Sequence, residues 1–475
     1  MGDSVNALPA PESDASHPRR VETRSLLHEV ADRAADWLDA LPERPVRPAH
    51  TPAQMRVTEV LADSPVPVDE VIADLGREAG PGLTAINSPR FFGFVMGGAH
   101  PAGIAADWLT TAWDQNAGLA GPTPAAAAFE AVAGRWLAEL FGLPATASFA
   151  LVTGCQMAHV TALAAARHRV LASAGHDVEV DGLAGAPRIR VLASVERHVT
   201  VDRALRLLGL GVGCVEPVAT DGRGALHADR LAEALAPDDD RPTIVVAQAG
   251  NVNGGAIDPV GEVCAAAHAA GAWVHVDGAF GLWAAASPSR RPLVRGIELA
   301  DSWATDAHKW LNVPYDCGIV FVDDRQAHRA AISVTAAYLV QDRGGPREPM
   351  DWTPEFSRRA RGFAVYATLR ALGRAGVAEL VDRLCACAEQ FAQQLGDAGF
   401  EVLHQELNQV LVACESDAVT DATLAAVQAD GTCYPSGTTW CDRRCLRLSV
   451  CNWQTTSDDV DRSVAAMAAA VQAFV

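Results

Sequence analysis

The chain has 475 residues, 49% of them apolar, and 58 acidic against 38 basic side chains give a formal charge of −20. The apolar share supports a large buried core in roughly two to four domains, while the acidic excess excludes non-specific nucleic-acid binding and disfavours an anionic membrane surface. Eleven scattered cysteines, an odd number, point to a reducing, cytoplasmic setting and not to a disulfide framework.

In chain order, residues 1–24 are rich in Ala, Pro, Ser and charge and carry no apolar signal core, so a loose tail is expected. Residues 21–41 read as an amphipathic helix ended by Pro42, and Pro-punctuated segments follow to Pro89. Residues 140–166 contain no Asp, Glu, Lys or Arg and are long enough to span a bilayer. Pro144, Thr153, Gly154, Gln156 and His159 interrupt them, so a buried strand, loop and helix are expected instead. A rhythm then sets in. Strands are expected at 149–153, 189–194, 243–247, 273–276 and 318–322, with helices at 157–171, 228–235 and 260–270. Such alternation predicts an α/β fold with a mostly parallel sheet whose ligands lie beyond the carboxyl ends of the strands. From about Arg361 the pattern changes to a long helix ending near Gly399, strands at 401–403, 410–413 and 446–451, and a closing helix from Ser457. The expected divisions are therefore an N-terminal tail and helical segment (1–95), a large domain (96–360) and a small C-terminal α+β domain (361–475).

The 38 basic residues are 37 arginines and one lysine, Lys309. Arginine replaces lysine wherever only charge matters, but it cannot serve as a nucleophilic amine. Lys309, in the run Asp306-Ala-His308-Lys309-Trp310, is thus a candidate Schiff-base lysine. Pyridoxal phosphate chemistry needs three further parts: an acid for the pyridine nitrogen, a phosphate cradle and a flat partner for the ring. Asp277 ends an apolar strand, where a carboxylate needs a cationic partner. Gly154, Cys155 and Gln156 lie between a strand and a helix, where backbone N–H groups suit a phosphate. His198 follows the strand at 189–194 and reaches the same sheet edge; it is either the flat partner or structural. Asn251 and Asn253 either reach cofactor oxygens or make a turn. Neither a Walker loop nor GxGxxG is present, and Gly209, Gly211 and Gly213 suit a helix-to-strand turn. Cys433, Cys441, Cys445 and Cys451 lack CxxC spacing, so no metal site is expected. No GxSxG elbow supports a serine triad.

Taken together, Val195-Glu-Arg-His198, His275-Val-Asp277-Gly-Ala279 and His308-Lys309-Trp310 resemble the group II pyridoxal-phosphate decarboxylases, with further likeness in Ser88–Phe94 and in the run from Trp136 to Pro144. The resemblance implies the aspartate-aminotransferase fold (fold type I) and a homodimer with active sites at the interface. It gives Lys309 to the cofactor carbonyl, Asp277 to the pyridine nitrogen, His198 and Ala279 to the two ring faces, and His308, Cys155 and Gln156 to the phosphate. Arg447 aligns with an arginine that binds substrate carboxylate in some members, and Phe91 and Phe94 are expected in the pocket wall. The implied reaction is decarboxylation of an L-amino acid, with His198 or Lys309 returning the proton. Two departures stand out: Met157 replaces an acidic residue of the cofactor loop, and residues 340–354 contain no tyrosine where the family carries a proton-donating one. They leave open decarboxylation-dependent oxidative deamination, β-hydroxy amino acid cleavage, or a non-catalytic cofactor-binding homologue.

Overall fold

A computed structural model describes residues 23–235, 240–334 and 347–474. The chain divides after Ala85 into two compact units. In the first, the expected N-terminal helix runs Thr23–Ala40 with no buried residue. A second helix, Val68–Ala79, follows the Pro-rich stretch.

The second unit is built on a seven-stranded sheet: β1 (Ser148–Val152), β2 (Arg190–Ser194), β3 (Val215–Val218), β4 (Thr243–Gln248), β5 (Trp273–Asp277), β6 (Ser302–Asp306) and β7 (Gly318–Val322). Their spatial order is β1-β7-β6-β5-β4-β2-β3, and β7 alone runs against its neighbours. All residues of β1, β2 and β4 to β7 are buried, as expected of strands covered on both faces. Two strands were not anticipated. β3 (Val-Glu-Pro-Val) is a half-exposed edge strand whose Pro217 masks the pattern. β6 (Ser-Trp-Ala-Thr-Asp) hides because three of its five buried residues are polar.

The uncharged stretch at 140–166 resolves into a helix end, β1 and the start of the helix Cys155–Ser173. That helix buries Ala158, Ala162, Ala165 and Ala166 on the sheet, small side chains that let it lie close. The contact between its leading loop and the sheet is tighter still: a Cβ on Gly318 would fall 2.3 Å from the carbonyl carbon of Gly154. Among the described residues no helix is long and apolar enough to cross a membrane.

The C-terminal part carries an antiparallel sheet, β8 (Glu401–Glu406), β9 (Gln409–Ala413), β10 (Ser436–Trp440) and β11 (Arg443–Ser449), in the order β10-β11-β9-β8. The helix Gly362–Asp397 packs between it and the rest, broken at Gly373 by a left-handed turn (φ 62°). β10 escaped notice because its hairpin turns through Cys441 and Asp442, both at positive φ, where an Asn-Gly pair would have advertised it. One hydrophobic core runs without a break from Phe92 through β4, β5 and β7 to Met467. Buried Glu130 ties the parts together by a bidentate pair with Arg358 (2.8 and 2.9 Å) and a third contact from Arg347 (3.3 Å). Removing one partner of such a buried pair costs about 3–5 kcal/mol.

Two buried histidines set an acid limit. Burial pushes both His275 and His328 down to about 3, whereas an unfolded chain protonates them near pH 6.5. Between those values the unfolded state binds up to two more protons. Their contribution is complete above about pH 6.5 and is lost as pH falls, by up to about 2.7 kcal/mol per pH unit for the pair. Denaturation midpoints measured from pH 7 to pH 4 should fall accordingly, and less steeply in His328→Gln.

Candidate active site

The carboxyl ends of β1, β2, β5 and β6 lie on one sheet edge and carry, in turn, Gly154 and Cys155, His198, Asp277, and the run from Asp306 to Lys309. The parallel arrangement brings these distant residues together.

Lys309 is partly buried, with 18% of its side chain exposed, and its Nζ pairs with Asp306 Oδ2 at 2.9 Å. Burial pulls the ammonium pKa down, but Asp306, with Cys155 and Asp277 behind it, more than offsets this and holds it above the ordinary lysine range. Asp306 Oδ1 accepts the backbone N–H of Cys155 at 2.6 Å, at the N-terminus of the helix Cys155–Ser173. A carboxylate thus sits where helix N–H groups would greet a phosphate. Nothing crowds this corner: a Cβ on Gly154 would meet only His308 Cε1 at 3.5 Å and Asp306 Oδ1 at 3.7 Å. His308 Nδ1 accepts the N–H of Cys317 (3.1 Å), its ring lies on Tyr315 (4.3 Å between centres), and burial lowers its pKa. Gln156 Nε2 donates to Thr200 O at 3.1 Å, while its Oε1 is buried without a partner.

Asp277 is fully enclosed. Burial alone would push its carboxyl up, but His159 first, then His198 and Lys309, hold it well below the usual range. Its Oδ1 accepts the N–H of Ala279 at 3.2 Å and its Oδ2 lies 3.5 Å from His159 Nε2. Ala279 is stapled in turn by the N–H of Asp306, which donates to its carbonyl at 3.0 Å. His198 caps the helix Val199–Leu207: its Nδ1 accepts the N–H of Thr200 (3.4 Å) and contacts Thr200 Oγ1 (2.7 Å). This leaves its proton on Nε2. Burial lowers the His198 pKa, and Asp277, Lys309 and Arg447 all act on it electrostatically.

The outer residues divide. Asn251 Oδ1 accepts from the N–H groups of Asn253 and Gly254, and its amide donates to Glu196 O (3.3 Å), so it builds a turn beside the site. Arg447 is buried, donates to Val252 O at 3.1 Å, and has an unpartnered Nε; among the described residues no carboxylate pairs with it. Phe91 is buried and stacks on Tyr434 (5.2 Å, 8°). Phe94, at φ 56°, is half exposed. Of the tyrosine-free segment, 340–346 lies outside the described residues, as does Tyr338. The remainder is anchored: the N–H of Met350 donates to Gly118 O (2.9 Å), and Asp351 pairs with Arg329 (2.9 Å). Met350 and Asp351 are buried structural positions.

Sequence reasoning missed three contributors. Asp306 was visible three residues before the lone lysine, but its role depends on the helix it faces. His159 was one uncharged residue within an alanine-rich helix. Asn312, at φ 55°, donates to the carbonyls of Lys309 (3.3 Å), Trp310 (3.0 Å) and Cys451 (3.0 Å) and accepts from Gly98 and Trp453. It locks the lysine loop, and no local pattern announces it.

These parts fit pyridoxal phosphate. A carboxylate stands in at an anion cradle, a partly buried amine lies beside it, and a second buried carboxylate is kept charged with no Lys or Arg ion pair among the described residues. A family model described as the pyridoxal-dependent decarboxylase conserved domain matches residues 52–415. The chain belongs to this family. Tryptophan decarboxylase 1 of Oryza sativa subsp. japonica is 30% identical over 84% of this chain and 82% of the relative. The aromatic-L-amino-acid decarboxylase of Bacillus atrophaeus is 28% identical over 79% of this chain and 78% of its own length. A crystal structure of Oryza sativa TDC with PLP and tryptamine superposes with a TM-score of 0.89 at 25% identity, covering 97% of this chain and 100% of that one. The protein is therefore a pyridoxal-phosphate-dependent amino-acid decarboxylase of fold type I.

For this decarboxylase the Asp306–Lys309 pair is predicted to carry stability in the cofactor-free state. Asp306→Asn leaves a largely enclosed ammonium without its nearest counter-charge, which should cost up to about 3–5 kcal/mol. Thermal melts of cofactor-free wild type and variant check this.

Proposed function

We propose that the decarboxylase acts on an aromatic L-amino acid, with the cofactor carried on Lys309. In this reading Asp277 holds the proton on the ring nitrogen, and His198 and Ala279 flank the ring. Gly154, Cys155, Gln156 and His308 receive the phosphate, Asn251 fixes the adjoining turn, and Arg447, Phe91 and Phe94 form the substrate end. The carrying observation is that the chain's one lysine lies on the same sheet edge as a buried, charged Asp277. When bound, pyridoxal phosphate supplies an electron sink for the pair left behind as carbon dioxide departs. The chain's own residues do the rest. Asp277 keeps that sink charged, and His198 holds a proton on Nε2 for return to the substrate Cα. Arg447, a buried guanidinium with an unpartnered Nε, suits the substrate carboxylate. The named relatives and the aromatic side chains at Phe91, Phe94 and Tyr434 support an aromatic substrate.

The test is a panel of amino acids followed by mass spectrometry. Aromatic substrates should give amine and carbon dioxide one for one, with kcat/KM at least tenfold above glutamate or 2,4-diaminobutyrate; preference for either of those would overturn the aromatic assignment. A second reading rests on the tyrosine-free segment at 340–354 and on relatives named phenylacetaldehyde synthase at 25% and 26% identity. In it, amino acid, oxygen and water yield aldehyde, carbon dioxide, ammonia and hydrogen peroxide. Peroxide formed in step with carbon dioxide under air, and absent under nitrogen, selects this second reading.

The same reading places the enzyme in the cytoplasm as a homodimer with its sites at the interface. Support comes from cysteines that are all free and from Trp108, Leu109, Trp113 and Phe129, which stay exposed on neighbouring helices. Sedimentation of wild type and Trp108→Glu tests it: a dimer that weakens in the variant is expected, and a wild-type monomer contradicts it.

A further inference from the structure

We propose that Asp277 is held charged and oriented by a one-way hydrogen-bond chain that begins at Trp273 and passes through Ser302, His275 and His159, which makes the two histidines positioning residues. Its functional meaning rests on the reading of Asp277 as the ring-nitrogen partner.

The chain follows from strand geometry. Trp273, His275 and Asp277 alternate along β5, so their side chains share one face. Ser302 sits opposite His275 on the neighbouring strand β6, and His159 reaches down from the helix Cys155–Ser173 that covers this face. The indole Nε1–H of Trp273 donates to Ser302 Oγ at 2.9 Å. Indole is a donor only, so the direction is fixed there. The hydroxyl hydrogen of Ser302 is then free for His275 Nδ1, also at 2.9 Å. We assign that hydrogen to His275 Nδ1, which puts the His275 proton on Nε2, facing His159 Nδ1 at 2.9 Å, the two rings standing at 87°. His159 in turn has its proton on Nε2, which faces Asp277 Oδ2 at 3.5 Å. With Ala279 N–H on the other oxygen, each carboxylate oxygen has a donor facing it.

The opposite direction leaves Asp277 Oδ2 without a donor from His159. It turns a His159 lone pair toward a buried carboxylate, or else requires an imidazolium on a ring with no exposed surface. Cys155 Sγ lies 3.5 Å from the same nitrogen; burial keeps its thiol protonated, so it offers the Nε2 proton no charged rival to Asp277. Among the described residues Cys155, His159 and Asp277 are also spaced to share a metal ion. The donor chain assigns His159 Nε2 to the carboxylate instead.

Two measurements test the proposal. The first is 15N NMR of histidine-labelled, cofactor-free protein, assigned with His159→Gln and His275→Gln. At neutral pH both rings should carry a proton on Nε2 and none on Nδ1; an Nδ1–H form of either ring overturns the chain. The second is equilibrium binding of pyridoxal phosphate. A hydrogen bond to a charged group is worth about tenfold to a hundredfold in affinity, so His159→Leu should bind that much more weakly. His159→Gln, whose amide can still donate, should recover most of the loss. Wild-type affinity in the leucine variant, or equal weakness in both, overturns the positioning role. The NMR result does not depend on the cofactor, so a failure to find the cofactor on Lys309 would discredit the reading of the site while leaving the chain itself to be judged separately.

Discussion

Lys309→Arg is expected to lower turnover by roughly 10⁴–10⁶-fold, the scale on which a covalent catalyst's loss acts elsewhere, while the fold survives. The reason lies in the contrast between the two cations. Arginine preserves the charge opposite Asp306 Oδ2, which lies 2.9 Å from the amine, so the buried carboxylate keeps a counter-ion. What it removes is an amine that can lose its proton and bond to a carbonyl carbon. The substitution therefore separates charge from nucleophilicity in a way that Lys309→Ala, which also orphans Asp306, does not. The checks are steady-state turnover on an aromatic amino acid and a thermal melt of the same preparation. Loss of turnover with a near-normal melt is the expected pair.

Asp277→Asn should cost about a hundredfold to a thousandfold in kcat, roughly 2.7–4 kcal/mol, as for loss of one oriented stabilising group in other enzymes. The amide keeps the shape and can still accept the N–H of Ala279, so cofactor binding should suffer much less than the rate. What it loses is the negative charge that His159, His198 and Lys309 together maintain, and with it, in the proposed role, the means of keeping the ring nitrogen protonated. Comparing kcat with the cofactor dissociation constant measures this, and a nearly normal kcat would remove Asp277 from the role.

Much of this site was legible in the chain because its residues are anomalous for their surroundings. A single lysine among 37 arginines and an aspartate closing a run of buried apolar residues at β5 are both costly choices, and cost marks function. The strands that carry them were legible for the opposite reason: β1, β2, β4, β5 and β7 are apolar runs, as two-sided burial demands. What stayed hidden was whatever depends on a partner distant in sequence. Ser302 and Thr305 made β6 look like a loop until Ser302 was seen facing His275 and Trp273. Asp306 read as a neighbour of the lysine, yet its second oxygen caps a helix that begins 151 residues earlier. His159 looked like an ordinary helix residue because its partners Asp277 and His275 lie on another element. Asn251, by contrast, made the turn that local chemistry allowed for. A pattern within one segment reports local structure and burial, whereas a hydrogen-bond partner across the fold leaves no local trace.

The central claim is that Lys309 carries the cofactor. Reduction of the purified holoenzyme with borohydride, followed by proteolysis and mass spectrometry, tests it most directly, because reduction turns a carbon–nitrogen double bond into a stable link that survives digestion. The peptide containing His308-Lys309-Trp310 should carry the mass of a reduced pyridoxyl phosphate on Lys309. Full recovery of that peptide unmodified, from protein shown by its absorbance to contain the cofactor, would contradict the account.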